Sequence, residues 1–292
     1  MRPFIKGVRG CGNPGVRAQD AARGSFLEWG VAILPWMDIA TWNVNSVRAR
    51  LPRLLPWLED RRPDVVCLQE TKCLDEVFPR EPIEELGYHI ECFGQKTYNG
   101  VAILSRSMPE DVIRGLPGDG EDAEKRVIGA IVDGVMVLNL YVVNGREVGC
   151  EKYAYKLDWM GRVAELVEAS YPMDERVVVT GDFNVTFDDR DIAEPDLWRD
   201  KILCSQPERD ALAGIMEPGL RDAFREHHDG EGHFTWWDFR TRGFQRGNRG
   251  LRIDHFLMSP PAIEACTAVE IDRDARDGEK PSDHAPVIAT LE

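Results

Sequence analysis

The feature that most constrains this chain is the run Val177-Val178-Val179-Thr180, four β-branched residues that break off at Gly181-Asp182-Phe183-Asn184. So dense a run reads as a strand buried on both faces. It therefore calls for neighbouring strands and for cover above and below. If the chain stays extended to the end of the run, Asp182 and Asn184 point to one side and Phe183 to the other. A carboxylate and an amide then stand together at a strand terminus. Two readings of the tetrapeptide remain open at this point: a functional pair, or a loop start in which Asp and Asn cap a turn.

The flanking sequence alternates strands and helices. Strands are expected at Asp38–Asn45, Asp64–Glu70, Tyr88–Phe93 and Val101–Ser105, and a hairpin at Arg126–Asp133 and Val135–Val142 turns on Asp133-Gly134. Ser46 is placed to cap a helix with Leu51, Leu54, Leu55 and Leu58 on one face, which Pro52 and Pro56 would shorten or bend. Pro79–Leu86 reads as a short helix and Tyr153–Ser170 as the clearest one, with Leu157, Met160, Val163, Ala164 and Val167 on its stripe. Polar helical pieces follow at Pro195–Leu203, Pro207–Met216 and Leu220–His227. Strands then complete the chain at Phe234–Phe239, Leu251–Ser259, Ala265–Ile271 and His284–Leu291. This order predicts one α/β or α+β sandwich domain over residues 37–292, neither a TIM barrel nor a Rossmann domain. Residues 1–36, rich in Gly and Arg and without period, read as a disordered or mis-called extension ahead of Met37.

Seven scattered cysteines with no CxxC pair argue against a disulfide framework and against structural zinc. No apolar stretch near the start is long enough to span a bilayer, so a cytoplasmic, membrane-free monomer is expected. The net charge is −15. The first 36 residues hold five basic and two acidic side chains, which leaves −18 for residues 37–292. Any surface for a polyanion must therefore be a local patch.

Several of the expected strands end alike. Asn43 and Asn45 close the first, Glu70 the second, Tyr141 and Asn144 the hairpin, and Asp182 and Asn184 the central run; Asp254 lies in a later strand and Asp283-His284 precede the last. Brought to one rim, these side chains offer oxygen ligands and a single imidazole, an inventory suited to Mg²⁺ or Mn²⁺ and not to zinc. The chemistry that such a rim can perform is in-line displacement at phosphorus. Asp254 beside His284 would favour the imidazolium, a donor for a phosphoryl oxygen.

The segments Gln69-Glu70-Thr71-Lys72, Gly94-Gln95-Lys96, Gly181-Asp182-Phe183-Asn184, Arg249-Gly250-Leu251-Arg252-Ile253-Asp254 and Lys280-Pro281-Ser282-Asp283-His284-Ala285-Pro286 resemble, in order and spacing, the exonuclease III class of apurinic/apyrimidinic endonucleases. The resemblance implies a four-layer, DNase I-like α/β sandwich, two packed mixed β-sheets flanked by helices, with the site at one edge. It also implies Glu70, with Asn43 and Asn45, at a divalent-metal end, Asp283 in the metal-facing network, Asp182 aligning or activating water with Asn184, Tyr141 and Asn144 on the phosphate, and Asp254 with His284 as a carboxylate–imidazole pair. One departure is visible: the family usually has Pro two residues after that tyrosine, where this chain has Val143.

The implied substrate is duplex DNA with abasic sites or blocked 3′ ends, and the implied activities are incision 5′ to the abasic site, 3′ to 5′ exonuclease and 3′-phosphatase. Phosphate contacts are expected from the acid-free stretch Phe239–Ile253, with Arg240, Arg242, Arg246, Arg249 and Arg252, from Arg48, and from Lys96, Tyr98 and Asn99. The family's pocket for a base-less sugar maps to Trp236, Leu251 and Ile253. A phosphoinositide or sphingophospholipid phosphodiesterase and a non-catalytic DNA-binding relative are the competing expectations.

Overall fold

The structure is a computed structural model that describes residues 36–292; the reading of residues 1–36 lies, but for Trp36, outside the described residues. From the amino end come β1 (Met37–Asn43), α1 (Val47–Arg61), β2 (Val65–Gln69), α2 (Arg80–Glu84), β3 (His89–Phe93), β4 (Val101–Ser105), β5 (Glu110–Arg114), β6 (Val127–Val132), β7 (Val135–Tyr141), α3 (Glu151–Ser170) and β8 (Val177–Asp182). The second part holds α4 (Pro195–Trp198), α5 (Gln206–Met216), β9 (Arg221–Asp222), α6 (Ala223–His227), β10 (Asp254–Met258), α7 (Pro260–Ala265), β11 (Cys266–Ile271) and β12 (Val287–Leu291).

The strands form two six-stranded mixed sheets, ordered β11-β12-β1-β2-β4-β3 and β5-β6-β7-β8-β10-β9. Each sheet has one parallel pair at its centre, β1 with β2 and β7 with β8, and every other pairing is antiparallel. A parallel pair needs a crossover, and α1 and α3 supply them. Alternation along each strand sends side chains to two layers. Ile39, Val65, Val137 and Val178 meet between the sheets, whereas Val177 and Val179 pack outward with α3 and α5, and Ala40, Trp42 and Leu68 pack with α1 and α2. The expected four-layer sandwich is what forms.

Two local expectations are corrected, on α1 and on Phe234–Phe239, and two elements, β5 and α7, appear where none was expected. Helix α1 runs through Pro52 and Pro56; both prolines are exposed, so the backbone carbonyls they leave unpaired lie where water can reach them. Phe234–Phe239 is no strand but a segment with isolated bridges from Trp236 to Leu251 and His284. The edge strand β5 has an almost wholly exposed and charged sequence, Glu110-Asp111-Val112-Ile113-Arg114, which lacks the alternation that marks a strand and suits an unpaired edge. Helix α7 begins on Pro260-Pro261, where missing N–H groups do no harm.

Candidate active site

The carboxyl ends of the two parallel pairs lie at the same end of the sandwich. Tyr141 stands beside Asp182 in the register of β7 and β8, Asp254 faces Asp182 across β8 and β10, and Asn43 donates across the sheets to Asp182 Oδ2 at 2.8 Å. Gly181 makes this convergence possible: at φ 138°, a Cβ there would lie 1.9 Å from the Leu140 carbonyl oxygen of the neighbouring strand. Beyond the strand ends Asn45, Ser46, Glu70, Lys72 and Asn184 all have positive φ. Left-handed backbone at several non-glycine residues concentrates strain where the functional side chains are presented.

Asp182, Asp254 and His284 are buried together. His284 Nδ1 lies 2.9 Å from Asp254 Oδ2, and its Nε2 is 3.7 Å from Asp182 Oδ2. Burial raises the Asp182 carboxyl to about 7, with His284 lowering and Asp254 raising it. Burial would lower the imidazole, but Asp254 and Asp182 more than offset this and hold it at about 10. The Tyr141 phenol is pushed well above its ordinary value by burial and by Glu70 and Asp182, so it remains a proton donor; Arg126 stacks 4.6 Å over its ring.

The residues expected at the metal end also meet here, in more specific roles. Asn43 Nδ2 bridges Asp182 and Glu70 Oε1, the latter at 2.9 Å, and Asn43 Oδ1 accepts from Asn45 N–H; as it stands Asn43 presents donors and not a ligand oxygen. Asp283 is committed on both oxygens, to Asn45 Nδ2 at 2.8 Å and Trp236 Nε1 at 3.1 Å, so it orients those two residues. Lys72 places its ammonium 2.6 Å from Glu70 Oε2 and 2.6 Å from Asn45 Oδ1. A cation thus already lies between two oxygens that a divalent ion would share, and these hard donors fit such an ion. Asn184 is turned inward, from Nδ2 to the Val142 carbonyl and from Oδ1 to Asn144 Nδ2, while its backbone N–H holds Asp182 Oδ1.

The expected DNA contacts divide. Arg48, Lys96, Tyr98, Asn144, Arg240 and Arg249 are exposed. Arg252 is corrected: it is 1% exposed and forks onto Asp191 and Asp222 inside the protein, so no phosphate reaches it. Asn99 is also corrected, since it is buried and donates to Gln95 Oε1, shaping its loop. Trp236, Leu251 and Ile253 do share one apolar cluster with Ile192, Leu203 and Trp198. Leu251 and Ile253 are closed off at 0% and 1% exposure, so they are corrected from direct contacts to the floor beneath Trp236.

Sequence reasoning missed Arg126, Thr235, Lys156 and Glu208. Thr235 Oγ1 accepts from the N–H groups of both Ile253 and Asp254. Lys156 carried a readable signal, because it is in helical phase with Met160, Val163 and Val167 on the buried face of α3. An apolar cavity of 460 Å³, lined by Ile113, Leu116, Met136, Leu166 and Tyr171 among others, lies along the β5–β6 edge and contains none of these groups.

Two mixed sheets whose shared edge carries buried carboxylates, a charged imidazole, a phenol and a cation-ready oxygen cluster define a phosphohydrolase of DNase I-like architecture. This chain belongs to the endonuclease/exonuclease/phosphatase family, whose profile matches residues 40–284. Within the family it is a nuclease of the exonuclease III type. It is 38% identical to exodeoxyribonuclease III of Haemophilus influenzae, an alignment that spans 87% of this chain and 99% of that protein. Among solved structures it is similar to a 3′ phosphatase, NExo from Neisseria, bound to a product DNA hairpin, with a TM-score of 0.85 and 43% identity over 88% of this chain and 99% of the other. An AP endonuclease from Archaeoglobus fulgidus gives a TM-score of 0.85 and 38% identity, again over 88% and 99%. The four-layer fold and the nuclease class implied by the sequence motifs are thereby established. Six of the seven cysteines lie in the described residues and all are free thiols, and no helix there is long and apolar enough to cross a membrane.

Proposed function

We propose that this protein is a DNA repair hydrolase that cuts the phosphodiester 5′ to abasic sites in duplex DNA and clears 3′ ends by 3′ to 5′ exonuclease and 3′-phosphatase action, with Mg²⁺ as its ion and Mn²⁺ able to substitute. The observation that carries this reading is the buried Asp182–His284–Asp254 group, joined through Asn43 to Glu70. Glu70 and Asn45 Oδ1, once Lys72 is displaced, would hold the ion, with Asn43 Nδ2 orienting Glu70 beside it; the ion would supply charge neutralisation at the phosphate and at the departing 3′ oxygen.

Asp182 accepts hydrogen bonds from Asn43 and from Asn184 N–H, which fix its carboxylate to orient an attacking water and take its proton. A carboxyl held near 7 is matched to that task close to neutral pH. His284 keeps Nδ1–H on Asp254 and turns Nε2–H to the space beside Asp182, where a non-bridging phosphoryl oxygen would accept it. Tyr141 and Asn144 donate to the phosphate from the other sheet position. Attack by water at phosphorus breaks the bond to the 3′ oxygen and leaves a 3′ hydroxyl and a 5′ phosphate. Trp236, backed by Leu251 and Ile253, forms the face against which a base-less sugar packs, and loss of stacking makes such a nucleotide the easier one to extrude. Arg48, Lys96, Tyr98, Arg240 and Arg249 grip the flanking duplex despite the acidic body.

A 5′-labelled duplex with one tetrahydrofuran abasic analogue tests this directly. Incision at the analogue with Mg²⁺ and none with EDTA is expected. Cleavage indifferent to EDTA, or no cleavage with any divalent ion, defeats the proposal.

A further inference from the structure

Beneath the phosphate side of the site lies an ion pair that takes no part in the steps above. Lys156, on α3, and Glu208, on α5, are both 0% exposed. The lysine ammonium has three donors and uses all of them: on the Asn184 carbonyl at 2.7 Å, on the Asn144 carbonyl at 3.3 Å and on Glu208 Oε1. Glu208 is equally committed. Its Oε1 accepts from Leu203 N–H at 3.1 Å, and its Oε2 accepts from Ser205 N–H at 3.1 Å and Ser205 Oγ at 2.6 Å. Leu203 returns the connection, since its carbonyl accepts from Thr186 N–H at 2.8 Å. One pair of charges therefore ties three separate loops: the one after β7 that carries Asn144, the one after β8 that carries Asn184, and the one before α5 that carries Leu203 of the cluster under Trp236.

Two features bear on the loop geometry that the tie holds. First, the loop after β7 has no proline at position 143, two residues beyond Tyr141, to stiffen it. Val143 stands there instead and does not fix φ as a proline would. Second, packing around the tie is close, for a Cβ on Gly145 would lie 3.0 Å from Lys156 Cδ and 2.8 Å from Ile202 Cδ1. Stability by itself gives no reason for charges at this place, because apolar residues of similar volume commonly serve a buried position as well as an ion pair does.

We propose that Lys156 and Glu208 are positioning residues for the reaction: they set Asn144 against Asn184 and, through Asn184 N–H, the angle of Asp182. The inference deepens the function proposed above and rests on it for the meaning of those groups. The pair touches no substrate and acts only through the backbone carbonyls that it holds.

The test is the double variant Lys156→Met, Glu208→Gln. Methionine fills the aliphatic volume, and glutamine retains the capping box of α5. Two readouts are taken together. On the abasic duplex, kcat is expected to fall about 30-fold while KM changes less than about threefold, as for a displacement of under an ångström at the reacting groups. In hydrogen exchange, backbone amides of residues 142–146 and 183–187 lose protection while those of β7, β8 and β10 keep theirs. Unchanged exchange in both loops with kcat within about twofold of the parent overturns the proposal, as does a fall in kcat that tracks a general loss of protection. Should the double variant not fold, Glu208→Gln alone takes its place, with an expected loss of about threefold in kcat and partial loss of the same protection; no change in either rejects the inference. A parent protein inactive on abasic DNA would defeat the functional reading, while the exchange comparison would still decide whether the pair holds the loops.

Discussion

Arg252 and Asp254 lie two residues apart, and each belongs to a buried charge cluster built on an opposite rule. Around Arg252 the charges balance. Its guanidinium donates to Asp191 at 2.8 and 2.9 Å and to Asp222 at 2.7 and 3.2 Å, and it reaches His255 Nδ1 at 3.1 Å; Arg225 adds a further bond to Asp191. Burial would raise the Asp191 carboxyl, but Arg252 holds it down at about 2. Around Asp254 the charges do not balance. Two carboxylates share one imidazole, one carboxyl is driven up to about 7, and the 3.7 Å gap between His284 Nε2 and Asp182 Oδ2 is left without a hydrogen bond. A cluster whose opposite charges are matched locks the chain. A cluster with a carboxylate in excess and an open donor is prepared for a partner that brings its own charge, here a phosphate and a cation.

The contrast can be broken by substitution, and the largest expected effect lies on the unbalanced side. Asp182→Asn should lower kcat on the order of 1000-fold while melting temperature and DNA affinity stay near those of the parent; equal losses of binding and turnover would return Asp182 to a structural role. Arg252→Met should do the reverse. It takes from Asp222 its arginine and from Asp191 one of its two, and is expected to cost about 3–5 kcal/mol in chemical denaturation, with the activity of the remaining folded fraction unimpaired. A stable Arg252→Met protein with lost DNA affinity would instead restore the arginine to the binding surface.

The matched cluster also predicts a pH dependence. His255 is buried and neutral, donating Nε2–H to the Val185 carbonyl; burial and then Arg252 lower it from 6.5 to about 4. The unfolded chain takes up this proton first, so stability is full above about pH 6.5 and falls as pH drops toward 4, by on the order of 3 kcal/mol in all. Urea denaturation from pH 7 to 4 measures it, and His255→Gln should flatten part of the slope. The smallest effect is expected outside both clusters. Arg240 is exposed and, among the described residues, paired with Asp238 alone, so Arg240→Ala should leave the melting temperature unchanged and reduce the salt dependence of DNA binding by about one phosphate contact.

These clusters also mark what could be read in the sequence. The strand-end groups Glu70, Tyr141, Asp182 and Asp254 were legible because short motifs carry them and strand periodicity fixes the side to which they point. Arg252 was misread because it lies in an arginine-rich stretch, and its burial is decided by Asp191, 61 residues away. Lys156 escaped notice for a related reason: charge suggests solvent, and only the phase of its helix and a partner 52 residues on place it inside. Leu251 and Ile253 were read as walls of a sugar pocket beside Trp236; they do pack with it, but their depth depends on the fold of Phe234–Phe239, whose strand-like pattern the structure does not follow.

The route of the chain through the site has a consequence for folding. Asn43, in the first strand, is held by Ser282 Oγ on its carbonyl, Trp42 Nε1 bonds the His284 carbonyl, and β1 pairs along its length with β12, the last strand. The catalytic edge is therefore a seam between the two ends of the domain. Until the segment from Ser282 to Leu291 packs against β1, His284 and the contacts that seat Asn43 are not in place, so the site assembles only when the first and last strands meet.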